Sequence, residues 1–159
     1  TEYPERLDNQ QLKSDLPPYL YEDVRGSLDF FSRLNYFTGA KNANAHHPAK
    51  VKQLYDSGIR IVVGTDSGTP MNFHYEATWQ EMDLLVKYGI PPIKVISMAT
   101  RYPALLYGAY QDLGTIEPGK LADIIIVNGN PLRHMSALQQ NNVIYVIKGG
   151  IQYKGPDLP

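Results

Sequence analysis

The sequence predicts an α/β fold that gives way, near residue 110, to an all-β part. Three observations carry this. A helical pattern ends at Gly58 and runs directly into residues 59–68, IRIVVGTDSG, an apolar β-branched run closed by a polar cluster. More helical patterns follow, with glycine stops at Gly89 and Gly108. After Gly108 short apolar runs alternate with Pro-Gly, Gly-Asn-Pro and Gly-Gly turns. Helix, glycine turn and apolar strand is the order of an α/β unit, whereas short runs between turns belong to β-structure.

Residues 1–18 are polar, carry Pro4, Pro17 and Pro18 and show no sustained period, which predicts an irregular lead-in. Residues 19–37 place Leu20, Val24, Leu28, Phe31 and Leu34 at helical spacing. The aromatics there (Tyr19, Tyr21, Phe30, Phe31, Tyr36 and Phe37) fit packing better than a ligand box. Residues 38–45 read as a loop. His46 and His47 open the next helix, with Pro48 in its first turn, Val51, Leu54 and Tyr55 on its apolar face and Gly58 closing it. Residues 59–64 then suit a strand buried on both faces, as in a parallel sheet.

Residues 69–74 form a loop, and residues 75–88 an amphipathic helix. Tyr75, Trp79, Met82, Leu85 and Val86 face inward, and Glu76, Gln80, Asp83 and Lys87 face water. Pro91 and Pro92 start a helix that buries Ile93, Val95, Ile96 and Met98. Pro103 breaks that pattern before a short helix with Ala104, Leu105 and Leu106. Leu113, Ile116, Leu121 and residues 124–127 are assigned to short strands, and Val143–Lys148 with Ile151–Lys154 to a hairpin around Gly149-Gly150. No internal repeat or low-complexity tract is present.

Composition narrows the function classes. The chain has 159 residues, with 15 Lys+Arg against 16 Asp+Glu, so no basic or acidic excess recommends a nucleic acid or an anionic membrane surface. No apolar run approaches the roughly 20 residues that span a bilayer. There is no cysteine, hence no disulfide or thiolate chemistry, and the compartment stays open. The first residue is Thr1, which suggests a processed end or a part of something longer.

Asp66 follows the apolar strand directly, and parallel α/β architectures bind ligands at strand ends. The residues leave two roles open: a reactive carboxylate, or a side chain that caps a turn through backbone N–H groups. His74 lies in the loop after the strand, where it could contact substrate or hydrogen-bond a helix start. His46 and His47 diverge by about 100° on a helix, so they do not chelate one ion together. His134 reads as a surface residue. Lys120 and Asp123, in EPGKLAD, read as fixing a turn and a strand start.

In order, GTDSG after an apolar strand, LLVKYGIPPIKVISMATRYPALLYG, LGTIEPGKLADIIIVNGNPL and VIYVIKGGIQY resemble the C-terminal end of the amidohydrolase superfamily. The nearest members are the imidazolonepropionase-like and Xaa-Pro dipeptidase-like hydrolases, and the resemblance covers about residues 55–154. It implies the C-terminal portion of a TIM (β/α) barrel in residues 1–110, with its last strand at 59–64. Residues 111–159 would be part of a small β-sandwich domain built from both chain ends. It also implies a divalent ion, most often zinc, and Asp66 as catalytic residue and metal ligand. The family's other ligands come from a His-x-His pair, a carboxylated lysine or glutamate and two further histidines. None of these motifs is present: no two of the four histidines, His46, His47, His74 and His134, are separated by a single residue. A complete barrel takes about 250 residues.

The resulting expectation is the C-terminal part of a metal-dependent hydrolase of C–N bonds, amide or cyclic amide. This part alone would neither hold its metal nor turn over substrate, and residues 59–64 would lack their parallel neighbours. Its partners would be a small-molecule or dipeptide substrate and the N-terminal remainder of the barrel. A homo-oligomer is compatible with this; nucleic acid and membrane are not expected. A dipeptidase or carboxypeptidase acting on Xaa-Pro or basic residues is the alternative within the superfamily. A non-catalytic module that has lost its metal ligands is the alternative outside enzymes.

Overall fold

The computed structural model describes residues 10–31, 46–68 and 72–156. The described helices are α1 (Gln10–Asp15), α2 (Pro18–Phe31), α3 (His47–Asp56), α4 (Ala77–Lys87), α5 (Pro92–Ala99) and α6 (Arg101–Leu106). Three strands follow, β1 (Ile124–Val127), β2 (Val143–Lys148) and β3 (Ile151–Lys154), in one antiparallel sheet of that order.

The core is assembled from helix ends as much as from helix faces. Met82 and Leu85 of α4, Ile90 after it, Val95 and Met98 of α5 and Met135 form one buried cluster. Val51, Tyr55, Ile61 and Val63 pack against it half-buried. The end of α4 shows why Gly89 is needed. Gly89 takes φ 90, its N–H donates to Val86 O at 2.9 Å, and Ile90 N–H donates to Leu85 O at 3.2 Å. This pair of bonds closes the helix and folds Ile90 back onto Leu85, so the stop signal also seats a core side chain.

Several expectations need correction. Residues 1–18 were expected to be irregular, yet α1 occupies Gln10–Asp15. Six residues are too few to display an apolar period, although Gln, Leu and Lys are good helix formers. On α2, Leu20, expected to face inward, is exposed at 39%, and its neighbour Tyr21 is buried. Leu54 on α3 and Ile93 on α5 are also exposed, at 46% and 55%. Glu76, expected to face water, is buried at the start of α4. The break expected at Pro103 is present: α5 stops at Ala99, the residue whose carbonyl Pro103 can neither bond nor clear, and Pro103 itself sits in the first turn of α6. The loop expected over 38–45 lies outside the described residues.

In the C-terminal part, only residues 124–127 of the first set of expected strands form one. Leu113, Ile116 and Leu121 lie in turns and loops, because Lys120 gathers that segment around itself. Its Nζ donates to Tyr110 O at 2.6 Å and to Thr115 Oγ1 at 2.7 Å, and sits 3.8 Å from the Tyr110 ring centre. With its side chain only 8% exposed, this lysine holds a turn, as expected. Two short 3₁₀ turns, Met135–Leu138 and Gln140–Asn142, lead into β2. The hairpin stands as expected, with Gly149 and Gly150 at φ 56 and 81, the positive pair that a two-residue type I′ turn requires. Asp123 Oδ1 accepts from Gly149 N–H at 2.7 Å, tying the start of β1 to this turn. In β1, Ile125 and Ile126 point to opposite faces of the sheet, and both are about half exposed, at 51% and 46%. Apolar surface is therefore open on both faces.

The helix phases make a direct test. Met98→Ala should cost about 2–5 kcal/mol in urea unfolding, because it empties a fully enclosed site. Ile93→Ala, on the exposed side of the same helix, should stay within about 0.5 kcal/mol. Equal costs would show that the phase of α5 is wrong.

Candidate functional site

The candidate site starts from residues 59–64, which run without a paired strand among the described residues. Ile61 and Val63 pack half-buried against the core, whereas Ile59 and Val62 are 53% and 37% exposed. Among the described residues the expectation of burial on both faces is thus not met. The stretch is tied to the core by Val63 N–H donating to Met98 O at 2.9 Å.

Asp66 comes two residues after it and is exposed. It is the one non-glycine residue among those described with positive φ, at 49. Asp tolerates this left-handed conformation better than most residues with a Cβ. A short turn surrounds it. Thr65 Oγ1 and Ser67 Oγ share a hydrogen bond at 2.7 Å, and Asn72 Nδ2 donates to Thr65 O. Gly68 N–H donates to Asn72 O at 3.0 Å. A Cβ placed on Gly68 would lie 3.7 Å from His74 Cε1, so the exposed imidazole rests over the same turn. Phe73 and Tyr75, on either side of His74, stack with ring centres 6.0 Å apart.

The structure therefore gathers Asp66 and His74 on one loop. His46 and His47 lie exposed at the start of α3, and His134 lies exposed before the Met135–Leu138 turn. Among the described residues no group of three or more His, Cys, Asp or Glu could hold a metal ion. Nor is any described helix long and apolar enough to cross a membrane. Sequence reading did not single out Thr65, Ser67 or Asn72; an asparagine in a loop six residues beyond an aspartate gives no periodic signal.

The comparisons with known proteins fit this chain order. A model of the amidohydrolase family matches residues 34–152. The chain belongs to the amidohydrolase family. Among solved amidohydrolase-family neighbours, a Xaa-Pro dipeptidase with methionine bound in its active site is 39% identical. It aligns over 68% of this chain and 25% of that chain with a TM-score of 0.61. The 5′-deoxyadenosine deaminase of Methanothermobacter thermautotrophicus is 32% identical over 113 residues, 67% of this chain and 26% of the relative. The imidazolonepropionase of Geobacillus kaustophilus is 28% identical over 103 residues, 64% of this chain and 24% of the relative. This amidohydrolase chain spans about a quarter of the length of each. Its structural neighbours have the amidohydrolase fold of the TIM-barrel superfamily, and its own small sheet is antiparallel.

Glu81, on α4, is a group the sequence did not flag. Desolvation by burial holds its carboxyl above the ordinary carboxylate range. A raised folded pKa means that the folded state binds the proton more tightly than the unfolded one. Stability tied to that proton is present at low pH and lost as pH rises through the folded pKa. Glu81→Gln should accordingly raise unfolding stability at pH 7, with the gain shrinking as pH falls through the carboxylate range. A gain that is constant with pH would assign the effect to something other than this titration.

Proposed function

We propose that this chain supplies the reacting carboxylate, Asp66, of a hydrolase that opens C–N bonds with water. The observation that carries the reading is the position of Asp66: exposed, two residues beyond the 59–64 stretch, and held in a left-handed turn. In this role Asp66 accepts the proton of the attacking water and returns it to the leaving nitrogen. His74, over the same turn, is proposed to contact substrate. Residues 1–110 are assigned to the barrel and residues 111–159 to a small β-domain.

A divalent ion, zinc first, supplies a lowered water pKa in such chemistry when it is bound. Asp66 is the ligand this chain offers to it. The described residues do not by themselves make such a site, since a closed zinc site draws on about three or four protein ligands. What the chain contributes to the chemistry is the proton transfer at Asp66.

Of the substrate classes, a dipeptide has a specific observation in its favour, the 39% identity to the Xaa-Pro dipeptidase. In the full-length protein, Asp66→Asn should leave folding intact and lower kcat on Met-Pro by about 10²–10⁴-fold, because an amide cannot accept the proton. Near-normal kcat in that variant would remove Asp66 from the mechanism. Cleavage of a cyclic amide with Met-Pro untouched would move the substrate class and keep the carboxylate.

A further inference from the structure

We propose that Asn72 is a positioning residue for Asp66: it sets the direction of the carboxylate by gripping the turn on both sides of it. This rests on the reading of Asp66 as the reacting carboxylate. Two bonds carry the argument. The Asn72 side-chain amide donates to Thr65 O, and the Asn72 backbone carbonyl accepts from Gly68 N–H at 3.0 Å. Thr65 O belongs to the peptide plane that carries the Asp66 nitrogen, so orienting it restricts rotation about φ of Asp66. Gly68 N–H belongs to the plane that leaves Ser67, so orienting it restricts the exit. One residue therefore holds the planes that enter and leave the Asp66-Ser67 pair.

The hold has something to oppose. Asp66 sits at φ 49, a region that residues with a Cβ avoid, in an exposed turn. The Thr65–Ser67 hydroxyl bond stitches the turn to itself, and so cannot orient it against the rest of the molecule. Asn72 can, because its neighbour Phe73 is anchored. Phe73 O accepts from Glu76 N–H at 3.2 Å and from Ala77 N–H at 2.9 Å, which makes it the first acceptor of α4. The direction of Asp66 is thereby referred to α4, whose Met82 and Leu85 lie in the core. The role calls for asparagine: an ionised aspartate has no donor for Thr65 O, alanine has neither donor nor reach, and glutamine is one methylene too long.

The test uses the full-length protein as Asn72→Asp and Asn72→Ala, with Asp66→Asn alongside. Crystal structures give the Asp66 backbone, and Met-Pro serves as the probe substrate. Asp66 should leave the left-handed region in both Asn72 variants, kcat should fall by about 100-fold, and KM should stay within about twofold. That split separates positioning from loss of fold or of binding. Asp66 remaining near φ 49 in both variants would overturn the proposal, whatever the kinetics. So would a displaced Asp66 with unchanged kcat while Asp66→Asn is inactive. If Asp66→Asn is itself active, the reading beneath the proposal fails and takes it along, a result told apart by that arm. Should one Asn72 variant fail to fold, the other carries both readouts. A wild type that leaves Met-Pro intact makes the crystallographic arm decisive.

Discussion

One backbone bond ties the loop that carries Asp66 to the helical core: Val63 N–H to Met98 O. Residues 59–64 have no strand beside them among the described residues, so their backbone groups cannot be satisfied in a ladder. Met98 provides an acceptor because it lies near the end of α5, where the last carbonyls of a helix have no partner within the helix. Its side chain is meanwhile buried against Val95, so the acceptor belongs to a well-held residue. The position of the polar cluster at 65–68 follows from that of Val63.

The loop is thus referenced to two helices by different routes. On the incoming side the reference is α5, through a main-chain bond to Met98. On the outgoing side it is α4, through Phe73 and the turn that starts the helix. Both helices meet at Ile90, 1% exposed, which the closure of α4 folds into the core. A carboxylate on a surface loop can in this way be held by packing some distance away. That is the general means by which a rigid scaffold positions reactive groups on loops.

Much of this was legible in the sequence, and the remainder has physical reasons. Glycine stops at Gly58, Gly89 and Gly108, the Pro48 and Pro92 starts and the Gly149-Gly150 hairpin are local signals, and each stands in the structure. The exposed position of Asp66 after the apolar run was legible, and the family was legible from the order of several motifs. Helix phase was less legible. In Tyr19-Leu20-Tyr21 every residue is apolar enough to face either way, and tertiary packing selects Tyr21. Leu113, Ile116 and Leu121 have strand composition, but a buried lysine with two acceptors outweighs propensity there. The Asn72 contact was invisible because it reaches seven residues back in the chain, to Thr65 O, which no period encodes.

The open faces of the sheet have a thermodynamic consequence. Ile125, Ile126, Ile144 and Ile151 remain between 40% and 63% exposed in the folded chain. Apolar surface that is hydrated before unfolding adds little to the rise in heat capacity on unfolding, since that rise follows the change in hydration. These four side chains therefore bend the stability curve less than their size suggests. The cluster around Val95, Met98 and Ile90 contributes more per residue, because its side chains meet water only when the helices part.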